Sequence, residues 1–210
     1  AAAWLGHTTI GKRFLKQYIS HRSSLRPLFQ RHKGSQRSVR MQVRERPEFL
    51  MDLEAFRFAC QGGNLETVQC FVEVLGGDIV HHNFSGHITP LHYACARCHL
   101  PLIQYLISHG AQLDSRANCG SPPVHWLGMF VEMKKIHSDT TVECFPIPLP
   151  EDDALTDESY ELALAWVIQH HRTSMFCTDN RGVTTLQRLL KKAPTSLRRT
   201  AIVHLVESGR

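Results

Sequence analysis

The sequence predicts an all-α solenoid, in which helix–turn–helix units stack side by side with hairpin-like loops between them and a basic arm in front. Three observations predict it. The tetrapeptide Thr89-Pro90-Leu91-His92 returns 33 residues later, altered, as Pro122-Pro123-Val124-His125. Two stretches of helical periodicity, separated by a short polar turn, lie between the copies. After residue 46 a nearly acid-free, Arg-rich composition gives way to apolar stripes alternating with Gly, Asn and Asp clusters, the pattern of repeat architectures.

The 210 residues allow one compact domain with a tail, and a hydrophobic share of 42% with 20% charged residues fits a globular chain. The longest apolar runs, such as Leu127 to Val131, are far shorter than the ~18 residues a membrane-crossing helix needs. Seven cysteines (Cys60, Cys70, Cys95, Cys98, Cys119, Cys144 and Cys177) are an odd, scattered set. That argues against a disulfide scaffold and for a reducing compartment.

The net charge of +5 conceals a division. Residues 1–46 hold eleven Lys and Arg against the single acid Glu45, a balance of +10; the remaining 13 bases and 18 acids leave the body at −5. Two domains are therefore expected: a basic arm over 1–46 and a folded body over 47–210. Residues 9–21 have the spacing of a basic amphipathic helix, with Ile10, Phe14, Leu15, Tyr18 and Ile19 on one side and Lys12, Arg13 and Lys16 on the other. This Arg- and Ser-rich segment resembles a mitochondrial transit peptide and the basic extension of an organellar ribonucleoprotein subunit. If retained in the mature chain, the arm gains free energy by displacing counterions from a phosphate backbone. Its RNA-contact candidates are Lys12, Arg13, Lys16, Arg22, Arg26, Arg31, Lys33, Arg37, Arg40 and Arg44.

In the body, Thr89 is a good N-cap and Pro90 suits a first helical turn, where its missing N–H costs nothing. Leu91, Ala94 and Cys95 make a small apolar face; Leu102, Ile103, Leu106 and Ile107 make the larger stripe of a second helix. Neither stripe can be buried alone, so successive units must stack. Upstream, the stretch Phe58 to Val68 aligns with Ala94-Cys95 and His99-Leu100 at a spacing of 35, as a degenerate capping unit. Downstream, Asp179 to Gln187 repeats the loop and helix opening, with Thr185 for Pro and Gln187 for His; a final amphipathic segment spans 197–206. The distance from Pro122 to Thr184 is 62 residues, 29 more than the repeat of 33. The surplus, about 138–159, is Pro-rich and acidic and reads as an exposed loop, after which Tyr160 to Ile168 resumes as the displaced second helix.

The run Thr89 to His92, the two helical stripes, Gly110-Ala111 and Asn118-Cys119-Gly120 together resemble the ankyrin repeat. The resemblance spans 54–208, about four units, and is sharpest over 86–127. It implies a protein-binding surface along loop tips and inner helices, here His81, His82, Asn83 and Phe84; Arg116, Asn118 and Cys119; Asp179, Asn180 and Arg181; and Tyr93, Arg97, Trp126 and Phe130. It also implies that His92 and His125 bond between neighbouring units. Trp126 is the leading contact anchor, because tryptophan is enriched in hot spots, with packing inside the stack as its alternative.

His92, Cys95, Cys98 and His99 have the residue types of a zinc site but no second ligand pair, and the repeat accounts for all but Cys98. No nucleophile elbow, phosphate-binding glycine loop or zinc-protease helix is present. The expectation is a noncatalytic protein without cofactor or metal. Its partners are proteins on the repeats and RNA on the arm, as in a subunit of the mitochondrial ribosome; the alternative is a cytosolic or nuclear adaptor that touches no nucleic acid.

Overall fold

The computed structural model describes residues 47–127, 157–192 and 203. The arm, most of the Pro-rich insertion and the final segment apart from Val203 lie outside them. Within the described residues the expected architecture is present: helices α1 (Pro47–Gln61) and α2 (Leu65–Leu75), α3 (Pro90–Ala96) and α4 (Leu100–Ser108), a 3-10 turn at Pro123–Trp126 with α5 (Asp157–His170), and α6 (Thr185–Lys192). Short 3-10 turns at Gly77–His81, Ser85–His87 and Arg172–Phe176 fill the loops. No strand occurs among the described residues; the last loop closes on the isolated bridge between Thr178 and Thr184.

Helices α2, α3, α4 and α6 start where the sequence places a cap. The Asn64 side chain accepts from the Thr67 amide at 3.1 Å to open α2. Its equivalent 35 residues on, His99, does the same with Nδ1 for the Leu102 amide at 3.2 Å to open α4. The preceding turn needs a positive φ in both units: Gly63 supplies it at 68° and Cys98 at 51°. Cys98 therefore occupies a turn position usually given to glycine. α6 opens with a reciprocal capping box, in which the Thr184 amide donates to Gln187 Oε1 at 2.9 Å and the Gln187 amide to Thr184 Oγ1 at 3.1 Å.

One departure is the third unit, whose opening is a four-residue 3-10 turn where the second has a seven-residue α-helix. Two prolines in tandem, Pro122 and Pro123, remove two amide donors there.

A single core runs through all units, from Phe56 and Phe71 through Leu91, Leu102, Ile103 and Leu106 to Leu164, Ile168 and Leu189. The larger stripe of α4 is buried as expected at Leu102, Ile103 and Leu106, with Ile107 partly so. On α3 all seven residues are buried, which fits a short inner helix pressed between two neighbours.

Candidate protein-interaction surface

Two bonding systems hold one unit to the next, and they use many residues that sequence reasoning placed at a contact surface. The first is an aromatic ladder. Phe56 meets Phe71 edge-on at 5.6 Å and Phe84 at 6.2 Å; Phe84 meets Tyr93 at 5.7 Å; Tyr93 meets Trp126 at 6.4 Å, all centroid to centroid. These spacings suit attractive edge-to-face packing. Trp126 is 1% exposed and also stands edge-on to His92 at 4.9 Å. Its proposed role as a contact anchor is thereby corrected: it packs inside the stack. Phe84, Tyr93 and Arg97 are buried as well, so they offer little to a partner.

The second system joins equivalent positions of successive loops. The Asn118 amide donates to the Gly86 carbonyl at 2.8 Å, and the Asn180 side-chain amide donates to the Asn118 carbonyl at 3.3 Å. Arg116 donates to the carbonyls of Gly120, at 2.8 Å, and of Thr178. Asp179 turns its carboxylate inward, Oδ1 accepting from the amides of Arg181 and Val183 at 2.9 and 3.0 Å. Arg116 and Asp179 are thus committed to loop structure.

The repeat histidines behave as the resemblance implies. His92 Nδ1 accepts from the Thr89 amide at 3.1 Å and lies 2.8 Å from the Thr89 hydroxyl; Nε2 donates to the Ser121 carbonyl of the next unit at 3.1 Å. Burial pushes the His92 pKa down to about 4, which keeps the ring neutral. His125 repeats the outward bond, Nε2 donating to the Cys177 carbonyl at 2.9 Å. With both His92 nitrogens and His99 Nδ1 engaged in hydrogen bonds, these residues do not combine with the buried Cys95 and Cys98 as ligands. Among the described residues no group of three or more His, Cys, Asp or Glu is placed to hold a metal ion.

What remains outward is the loop edge. His81, Asn83, Asn118, Cys119, Asn180 and Arg181 are exposed. His82 is half-buried, stacked edge-on against Phe84 at 4.9 Å, and burial pushes its pKa down to about 4 against the opposing pull of Glu54. Behind it Arg57 Nε donates to Glu54 at 2.8 Å, and the guanidinium lies 4.5 Å from the Phe58 ring centroid. Sequence reasoning missed two apolar side chains that are each 54% exposed, Leu162 and Phe176. Leu162 lies off the buried stripe of α5 (Tyr160, Ala163, Leu164, Val167), and that break in periodicity was its signal. Phe130 and all ten arm residues assigned to RNA, from Lys12 to Arg44, lie outside the described residues.

No helix among the described residues is long and apolar enough to cross a membrane. Residues 31–126 match the family model of ankyrin repeats in three copies. Palmitoyltransferase AKR1 of Saccharomyces cerevisiae is 36% identical over 69 residues, a segment that covers 31% of this chain and 9% of that protein. The described helix–turn–helix units have the all-α solenoid fold of ankyrin repeats, and the family match falls on the first part of that stack, up to residue 126.

Proposed function

We propose that the protein is a noncatalytic interaction subunit of a ribonucleoprotein, the repeats holding proteins and the arm of residues 1–46 lying along RNA. The protein-binding half rests on the repeats matched in three copies over residues 31–126 and on the polar loop edge that the stack leaves open. The RNA half rests on one observation, the charge division: eleven Lys and Arg against one acid in the arm, beside a body with more acids than bases. A body at −5 does not itself attract a polyanion, so the task falls to the arm. The Arg- and Ser-rich composition of the arm supports a mitochondrial-matrix reading, with the mitochondrial ribosome as the leading host.

On the loop edge, the exposed side chains offered to a protein partner are His81, Asn83, Asn118 and Arg181, joined by the half-buried His82.

Fluorescence anisotropy on a labelled single-stranded RNA tests the RNA half. The logarithm of affinity should fall steeply with the logarithm of salt, by about 0.7 per phosphate contact, and binding should vanish when residues 1–46 are deleted. Salt-insensitive or arm-independent binding would contradict the role given to the arm, and absence of binding would return the protein to the class of adaptors that touch no nucleic acid. Cross-linking mass spectrometry on native fractions tests the protein half, with partners expected on the edge from His81 to Arg181.

A further inference from the structure

The last joint of the stack differs from the one before it. In the second unit both nitrogens of His92 are satisfied, Nδ1 by Thr89 and Nε2 by Ser121. In the third unit Pro122 stands where Thr89 stands in the second, and proline has neither an amide hydrogen nor a hydroxyl to offer. His125 Nε2 still reaches across the joint to the Cys177 carbonyl at 2.9 Å, but Nδ1 is buried with no hydrogen-bond partner. The residue is 2% exposed.

We propose that this half-satisfied histidine makes residues 172–192 a proton-sensitive unit, docked while His125 is neutral and released as it takes up a proton. A neutral ring protonated on Nε2 keeps the Cys177 bond and buries only a bare lone pair. A second proton, on Nδ1, would bury a charged donor with no acceptor, a far larger cost. The groups around the ring reinforce this. Burial acts first against the charged form, and Arg188 of α6 and Arg116 of the preceding loop oppose a positive charge; the Cys177 carbonyl and Asp179 favour it, and the net shift is downward. On α3, which packs against this turn, burial holds His92 neutral and pushes the Tyr93 hydroxyl and the Cys95 thiol up, so none of the three adds a charge.

Released His125 regains an ordinary pKa near 6.5 and binds a proton that the docked form does not. Above pH 6.5 both forms are neutral and the joint is unaffected. Below it, detachment rises by up to tenfold per pH unit until the docked ring itself titrates. The other bonds of the joint run from the Asn180 amide to the Cys119 carbonyl, from the Asn180 side chain to the Asn118 carbonyl and from Arg116 to the Thr178 carbonyl.

Hydrogen exchange followed by mass spectrometry on the full chain tests the proposal, with rates corrected for intrinsic chemistry. At pH 7.5 residues 172–192 should open more often than 89–108; equal opening of the two would overturn the idea of a detachable unit. Between pH 7.5 and 5.5 opening of 172–192 should rise, by at most about tenfold. His125→Gln, whose amide can still donate to Cys177, should flatten that rise, whereas His171→Gln should keep it. No rise in the natural chain, or an unchanged rise in His125→Gln, would overturn the proposal. Pro122→Thr guards against a misfolded Gln variant: by restoring the donors to Nδ1 it should slow opening about threefold at pH 7.5. Opening that is unchanged or faster would count against the latch.

Discussion

A Cβ atom built on Gly120 would lie 2.0 Å from Oδ1 of Asn180 and 2.7 Å from its backbone nitrogen. The loops of the third and fourth units therefore touch backbone to backbone, and the absence of a side chain at Gly120 is what lets the Asn180 amide reach the Cys119 carbonyl at 3.3 Å. This contact is a joint of the solenoid, and it sets the first prediction.

Gly120→Ala should cost about 2–3 kcal/mol, because rotating the Asn180 side chain relieves only the first clash and the φ of 74° adds strain. Gly182→Ala is the control: it has the same φ of 74° but nothing within 4 Å, so it should cost only the conformational strain of about 1 kcal/mol. Urea denaturation of both variants checks the pair. Equal losses would show that the loops do not press together.

His92→Ala should destabilise the body by about 2–3 kcal/mol, since it leaves the Thr89 amide buried without its partner and takes from the Ser121 carbonyl one of its two donors, the Ala117 amide remaining. Thr89→Ala removes only the hydroxyl while the Thr89 amide still reaches Nδ1, so it should cost about 1 kcal/mol. Chemical denaturation ranks the two. A reversed order would mean that His92 does not bridge the units.

Acid should weaken the fold well before carboxylates titrate. Burial holds His92 and His82 down to about 4, whereas both regain a pKa near 6.5 on unfolding. Above pH 6.5 they are neutral in either state and their contribution is intact. As pH falls from 6.5 toward 4 the unfolded chain binds protons that the folded chain refuses, and stability drops by up to about 3 kcal/mol per histidine. Thermal melts at pH 7.5, 6.0 and 5.0 should show a falling midpoint. A flat or rising midpoint would contradict the buried, neutral state of both rings.

The modular body was legible in the sequence because its signals are local. Thr89-Pro90 announces a cap whatever lies around it, and the stripe of Leu102, Ile103 and Leu106 shows a buried side at helical spacing. Thr184 and Gln187 were also readable as a capping box. The position of the aromatics was not legible in the same way. Tyr93 and Trp126 lie on elements of seven and four residues, too short for periodicity to separate an inward from an outward side, and both turned inward. His99 and Cys98, once candidates for metal ligation, proved to be an N-cap and a left-handed turn; polar residues beside a turn serve both uses, and only backbone geometry tells them apart.

Whether units cohere only by stacking is tested most directly by Leu106→Asp, followed by hydrogen exchange across the whole body. Leu106 has no exposure, and a carboxylate there would sit in the shared core between helices. The stack predicts that protection is lost together over 54–75, 89–108 and 157–192, since each unit relies on its neighbours. Protection lost only within 100–108, with the flanking units intact, would show independent modules and contradict the solenoid.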